Sequence, residues 1–289
     1  MTYVGRYINL NRSIERRGQM EAQFERLNSA DRYFRFQGVD GASLNASASL
    51  LSPGERGCFL SHHQCIVDSI PLNEHVHIVE DDVTFGPQTV PLLDQIVDDV
   101  LKDVDILFTD IFVPPDFSFI WNLTQSYRRC GLIEDDPGPG ALRFPSSIFY
   151  QGLDQVKFSG ATSYIVAKRS AQKVADLLEA ELSRGPTMPV DLALRVLVTS
   201  GQLSAVCTVP FLTSITFDSV ITTTMTGRTL PPSSVTALFL LRHFFYVNKD
   251  AKLLRTMASN LNKDLQQPGF TDVLLESFKF ILSDHYTDF

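Results

Sequence analysis

The sequence predicts an α/β protein built on a mainly parallel sheet, and three observations carry that expectation. Apolar strand-like runs alternate with helical stretches from Tyr3 to Thr109. Several runs stop abruptly at turns, Asp40-Gly41 and Glu80-Asp81-Asp82 among them. A capping box at Ser52-Pro53-Gly54-Glu55 opens a long helix between two of the runs. Helices that carry the chain back between strands make neighbouring strands parallel.

The elements follow in order. Tyr3 to Leu10 reads as a buried strand, and Ser13 caps a helix carrying Ile14, Met20, Phe24 and Leu27. Tyr33 to Val39 is a second strand; Asn45 to Ser49, made of small residues, is a loop. The helix begun at Ser52 runs to about Ile70, with Phe59, His63, Ile66, Val67 and Ile70 on one apolar face and Cys58, His62 and Cys65 on another. His75 to Val79 is a strand, Val90 to Leu101 a helix and Val104 to Thr109 a strand. From Pro114 to Pro145 aromatics, prolines and glycines replace periodicity, which reads as a long loop. Val156 to Ala167 is a strand pair about Gly160, followed by helices from Ser170 and from Asp191 and a last strand from Leu203 to Pro210. Beyond Pro231-Pro232, three helical segments, about Val235 to Tyr246, Asp250 to Leu261 and Asp272 to Ser283, make a helical extension. The division is a domain over residues 1–230 and an extension over 231–289, packed on that domain or on a second subunit.

Composition narrows the function. The 289 residues are 44% hydrophobic and 20% charged, enough chain for one large domain with an appended piece. Thirty-three acidic against 25 basic side chains give a net charge of −8, which argues against nucleic acid as a partner. The opening residues do not resemble an export signal, and no apolar run approaches the roughly 18 residues of a membrane span, so a cytoplasmic chain is expected. Four scattered cysteines point to reduced thiols. The extension balances its basic and acidic residues, so it is no polybasic lipid anchor. Peripheral contact with the inner face of a membrane and a homodimer are both compatible with it.

Glu80-Asp81-Asp82, at the carboxyl end of an apolar strand, is the most informative cluster. Alternation along a strand lets Glu80 and Asp82 face one site while Asp81 points elsewhere. Ligands bind at the carboxyl ends of strands in open α/β sheets, and crowded carboxylates suit a hard cation such as Mn²⁺ or Mg²⁺. On spacing alone the triplet reads equally well as a turn with a helix cap. Asn9-Leu10-Asn11-Arg12 with Arg16 reads as a phosphate site or as a solvated basic helix face. Cys58, His62 and Cys65 read more readily as structural than as a soft-metal site. Asp191 and Arg195 are either a capping pair or a general base held beside a cleft.

Taken together, these segments resemble glycosyltransferase family 25. The resemblance rests on Ile8-Asn9-Leu10-Asn11-Arg12 with Arg16-Arg17, on Val39-Asp40-Gly41, and on the block from Leu51 to His62 containing Gly54-Glu55-Arg56-Gly57-Cys58 and Ser61-His62. Ile78 to Val83, Gly160 to Val166, Pro189-Val190-Asp191 and Ser219-Val220-Ile221 extend it over roughly residues 3–222. It implies a GT-A fold, a nucleotide-sugar donor (usually UDP-galactose), a divalent metal and inversion at the anomeric carbon. It makes Glu80-Asp81-Asp82 the counterpart of the Asp-x-Asp motif at the donor, with Asp82 on Mn²⁺ or Mg²⁺, Glu80 near the ribose or the metal, and Asp81 among the donor-binding residues. Asn9, Leu10, Arg12 and Asp40 would line the uridine pocket, Arg16 would approach the phosphates, and Ser61 and His62 would face the donor. Asp191 is the expected base, with Asp110 in reserve. The acceptor would be a hydroxyl of a saccharide or glycoconjugate such as lipooligosaccharide. A noncatalytic nucleotide-sugar or glycan-binding protein and a metal-dependent phosphoesterase are the alternatives.

Overall fold

The computed structural model describes residues 3–44, 50–114, 116–132, 144–216, 232–250, 252–254 and 256. Nine strands and seven helices are formed among them: β1 (Tyr3–Asn9), α1 (Ile14–Arg26), β2 (Tyr33–Gln37), α2 (Pro53–Ser69), β3 (His75–Glu80), β4 (Val83–Phe85), α3 (Thr89–Val100), β5 (Ile106–Phe108), α4 (Phe117–Arg129), β6 (Phe149–Gly152), β7 (Ser163–Val166), α5 (Ala171–Ser183), α6 (Val190–Thr199), β8 (Ala205–Val209), β9 (Thr213–Ile215) and α7 (Pro232–Phe244). Seven strands make one sheet in the order β2-β1-β3-β7-β5-β8-β6, and β4 pairs with β9 in a second, small sheet. β1 is parallel to β2 and β3, and β5 is parallel to β8. β7 runs antiparallel between β3 and β5, and β6 antiparallel on the edge beside β8. Five strands therefore point one way, and their carboxyl ends share one rim of the sheet. The molecule is a mixed α/β protein, as the alternation predicts.

The core is continuous across the sheet. β3 buries Val76, Ile78 and Val79, β5 buries Ile106, Leu107 and Phe108, and β7 buries Tyr164, Ile165 and Val166. β3 also carries His77, whose ring bonds the Tyr33 hydroxyl at 2.8 Å and the Ser163 hydroxyl at 2.9 Å inside the sheet. Burial holds it neutral, with its pKa pushed down to about 3. At the opposite end of β5 from the rim, Asp105 ties the sheet to α5. It accepts bonds from Ser170, from Lys173 at 3.0 Å and from the Ser204 amide at 2.9 Å.

Ser52 and Glu55 form the reciprocal capping box expected of them. The start of α2 lies directly against the turn after β2. A Cβ on Gly41 would stand 1.6 Å from the Pro53 carbonyl oxygen, and one on Gly57 2.5 Å from that of Val39, so only glycines permit this approach. The contact sets α2 across the rim.

Several expectations change. Ile14 is 74% exposed, because the inward face of α1 is set by Met20, Gln23 and Phe24. Ser13 makes no side-chain cap; the Asn9 amide instead donates to the Ser13 carbonyl at 3.0 Å. In α2 the stretch facing the interior includes Phe59, His62, Cys65 and Ile66, whereas Val67 is exposed, since α5 and the sheet cover the helix from two sides. The supposed loop after Pro114 contains α4, capped by Asp116, with Phe119, Ile120, Leu123 and Tyr127 buried. The flanking prolines and glycines mask that four-residue spacing. Of the strand pair expected from Val156 to Ala167, β7 forms, while Ser159 makes only an isolated bridge to Phe112. The Asn45–Ser49 loop, the Ser219-Val220-Ile221 segment, the boundary at 230 and the last tail helix lie outside the described residues, as does most of the tail helix before it. The first helix of the extension, α7, buries Phe239, Leu240, Leu241 and Phe244, with Phe245 just beyond it. No helix of the described residues is long and apolar enough to cross a membrane.

Candidate functional site

The carboxyl ends of β1, β2 and β3 are adjacent, and the polar residues that follow them interlock. Asn9, the buried last residue of β1, donates from its amide to Asp81 at 2.7 Å, and its carbonyl groups accept from Arg35 at 3.0 and 3.1 Å. Arg16, on the first turns of α1, bonds Asp81 at 3.0 Å and lies 3.8 Å from Asp82. Burial pushes the Asp81 pKa up against the opposing pull of Asn9 and Arg16. Arg12 pairs with Asp40, which also caps the turn after β2 through the Ala42 amide. Leu10 packs beside Gly38 and Ser61. Ser61 is committed to the backbone: its hydroxyl donates to the Gly57 carbonyl at 2.6 Å and accepts from the Val39 amide at 2.8 Å. These two bonds pin α2 to the turn after β2.

Glu80 turns the other way, toward α2. Its Oε1 lies 3.3 Å from His62 Nε2 and accepts from the Cys58 thiol at 3.9 Å. His62 Nδ1 meets the Tyr164 hydroxyl at 2.9 Å, and the two rings stack. Cys58, His62 and Glu80 thus form a group able to hold a metal ion, their donor atoms within 4.8 Å of one another. Burial acts to raise the Glu80 pKa, but the bond to His62 and the charges of Arg242 and Arg16 prevail and hold it low. Burial, and then the charges of Glu80, Asp191 and Asp82, push the Cys58 thiol well up. Carboxylates from the end of β3 and from a point more than 100 residues later in the chain therefore act on one thiol.

Asp191 reaches this neighbourhood from the first turn of α6. It accepts from the Gly160 amide at 2.9 Å, and it makes no ion pair with Arg195, whose guanidinium bonds the Phe158 carbonyl at 3.2 Å. The capping-pair reading is thereby replaced. Gly160 has φ +88°, a left-handed conformation natural to glycine, and packs on Phe112. Two residues on, the Thr162 carbonyl accepts from the Glu80 amide at 2.8 Å. One short turn thus holds Asp191 and Glu80 in fixed relation.

Asp110 is corrected as a reserve base. It is fully buried beneath Arg242 of α7, which donates from Nε at 2.9 Å and from Nη2, while Thr162 bonds its other oxygen at 3.3 Å. The guanidinium also bonds Thr162 and lies 4.6 Å from the centre of the Phe112 ring. Burial pushes the Asp110 pKa up, with Arg242 opposing. A carboxylate with no exposed surface and an arginine over it cannot meet an acceptor hydroxyl.

Residues 6–194 match glycosyltransferase family 25 (LPS biosynthesis protein). The chain belongs to that family. A "Glycosyltransferase 25 family member" of Drosophila pseudoobscura pseudoobscura is 35% identical over 99 residues, a stretch that covers 28% of this chain and 16% of that protein. The span matched to glycosyltransferase family 25 takes in Asn9 through Asp191 and ends before α7, so Arg242 comes from outside it. Arg242, Thr162, Arg35 and Tyr164 are the site residues that sequence reasoning missed. Thr162 and Tyr164 lie in the Gly160 to Val166 stretch of the resemblance, Arg242 stands out as a cation inside the apolar run Leu238 to Phe245, and Arg35 carries no such signal.

Proposed function

We propose that this glycosyltransferase has a GT-A fold and moves a hexose, galactose from UDP-galactose in the first instance, onto a hydroxyl of a saccharide or glycoconjugate acceptor with inversion. The observation that carries the reading is the rim itself: Asn9, Arg16, Glu80 and Asp82 gather at the carboxyl ends of parallel strands within the span matched to the family. The donor set suits a hard divalent ion, since Asp82 and Glu80 both bring carboxylate oxygens to the rim, beside Asp81 on Asn9 and Arg16. Asp82, with Glu80, would hold Mn²⁺ or Mg²⁺, which when bound offsets the negative charge of the departing UDP.

The chain's own residues do the rest. Arg16, held by Asp81 and near Asp82, stands where a guanidinium can share the diphosphate charge. Asn9, Leu10 and the Arg12–Asp40 pair border the place assigned to uridine. His62 fixes the Glu80 carboxylate from behind. Asp191, anchored through one oxygen by the Gly160 amide, keeps the other to take the proton of the acceptor hydroxyl as that oxygen attacks. A lipopolysaccharide-type glycoconjugate is the acceptor class this reading proposes, and the family description is in keeping with it. The test is release of UDP from a panel of UDP-sugars with Mn²⁺ and an oligosaccharide acceptor. Turnover with UDP-galactose is expected; folded protein that neither binds UDP nor releases it overturns the reading.

A further inference from the structure

We infer that Cys58, His62 and Glu80 form a binding site for a thiophilic divalent cation of the Zn²⁺ class, next to the oxygen-ligand position at Asp82 and sharing Glu80 with it. Three observations support it. The first is distance. Tetrahedral zinc, with bonds of about 2.0–2.2 Å to nitrogen and oxygen and about 2.3 Å to sulfur, sets N···O near ~3.4 Å and S···O near ~3.6 Å. His62 Nε2 lies 3.3 Å from Glu80 Oε1, and Cys58 Sγ lies 3.9 Å from the same oxygen. The second is the scaffold. Cys58 and His62 are four apart on α2, so they project from one face of a rigid helix, and Glu80 comes from the end of β3 opposite.

The third is the group behind the histidine. A metal-binding imidazole gives its ring lone pair to the ion and donates its other N–H to an acceptor that fixes the tautomer. The Tyr164 hydroxyl, 2.9 Å from His62 Nδ1, fills that place. Because a hydroxyl both donates and accepts, Tyr164 suits either state. Without the ion it donates to Nδ1 while Nε2–H faces Glu80; with the ion it accepts from Nδ1–H and frees Nε2 for coordination. The mixed sulfur, nitrogen and oxygen set selects Zn²⁺ or Co²⁺ over Mg²⁺. His62 is buried, while Glu80, 30% exposed, and the half-buried Cys58 open the group to solvent. Its fourth position is left for water. On coordination the Cys58 thiol proton goes to solvent, and no electron changes hands.

One consequence rests on the proposed function: Glu80 cannot serve both cations fully, so zinc would inhibit transfer. The test of the site does not depend on that. The full chain, free of UDP, is titrated with Co²⁺ and followed by its thiolate-to-cobalt absorption in the near ultraviolet. One equivalent is expected to bind and to be displaced by Zn²⁺. Cys58→Ser should abolish the band, and Tyr164→Phe should weaken binding by about 10–100-fold. In the unaltered protein Zn²⁺ should slow alkylation of Cys58 by iodoacetamide at least ~10-fold, read by peptide mass spectrometry, which avoids any folding defect of a variant. Absence of a thiolate band, a band unchanged in folded Cys58→Ser, or alkylation indifferent to Zn²⁺ overturns the site. A silent transferase with an intact cobalt band would instead overturn only the catalytic reading.

Discussion

Two carboxylate groups sit past the ends of parallel strands of one sheet, and the protein treats them in opposite ways. At the end of β3, Glu80 and Asp81 keep part of their surface, 30% and 12%, and Arg16 beside Asp81 is 35% exposed. Past β5, Asp110 is sealed: it and Arg242 have no exposed surface at all. Both arrangements place an acid at the rim where ligands bind. What differs is the counter-charge. Asp81 and Asp82 are met by Arg16, on the helix that follows the neighbouring strand β1, and Asp81 stays in reach of water. Asp110 is met by an arginine 132 residues away that closes the site off. An acid at a strand end is thus available for chemistry only where its cation leaves room for another.

The contrast can be broken most forcefully at the sealed end. Arg242→Met strands Asp110 in the interior and should cost about 3–5 kcal/mol of stability in denaturant titration; adding Asp110→Leu should restore most of it, since an apolar pair avoids burying charge. A small effect of the single change would mean that the pair is not sealed. At the open end, Asp82→Asn should leave the melting temperature nearly unchanged while weakening Mn²⁺-dependent UDP binding by at least ~100-fold, about 2.7 kcal/mol, by calorimetry. Undiminished binding removes the metal role from Asp82.

The same strand offers an acid of a third kind. Asp105 is enclosed like Asp110, and burial alone would raise its pKa, but Ser170, the Ser204 amide and Lys173 bring it down to about 2. An aspartate depressed in the folded state stabilises above its unfolded pKa of about 3.9, and that contribution is lost as pH falls toward about 2. The expected size is on the order of 2 kcal/mol. Unfolding free energies of the native chain and of Asp105→Asn should therefore draw together as pH falls below about 4 and meet only at about pH 2. Smallest of all is Arg16→Ala, which should change stability by no more than ~1 kcal/mol because the pair with Asp81 is partly solvated. It should still raise the KM for the donor.

Much of the open end is legible in the sequence because each part is local. Glu80, Asp81 and Asp82 are contiguous, Arg16 lies one short turn from Asn9, and the Ser52–Glu55 box announces α2. The alternation from β1 to β5 gives the fold class for the same reason. The sealed end is illegible because its partners meet only through tertiary packing. Nothing near Asp110 in the chain distinguishes it from a usable base, and Arg242 lies beyond the family match. The Cys58–Glu80 contact was missed for a related reason: helical spacing groups Cys58 and His62 with Cys65, but only the seating of α2 on β3 replaces Cys65 with Glu80. α4 was missed because composition, not periodicity, dominates its surroundings.

The span from Asp110 to Arg242 also has a meaning in time. A ribosome delivers the acid long before the base that neutralises it. Until α7 emerges, Asp110 lacks the arginine that neutralises it in the folded chain, whereas Asp81 and Asp82 follow their arginine in the sequence. The family core thereby depends for its final closure on a helix that the family match does not include.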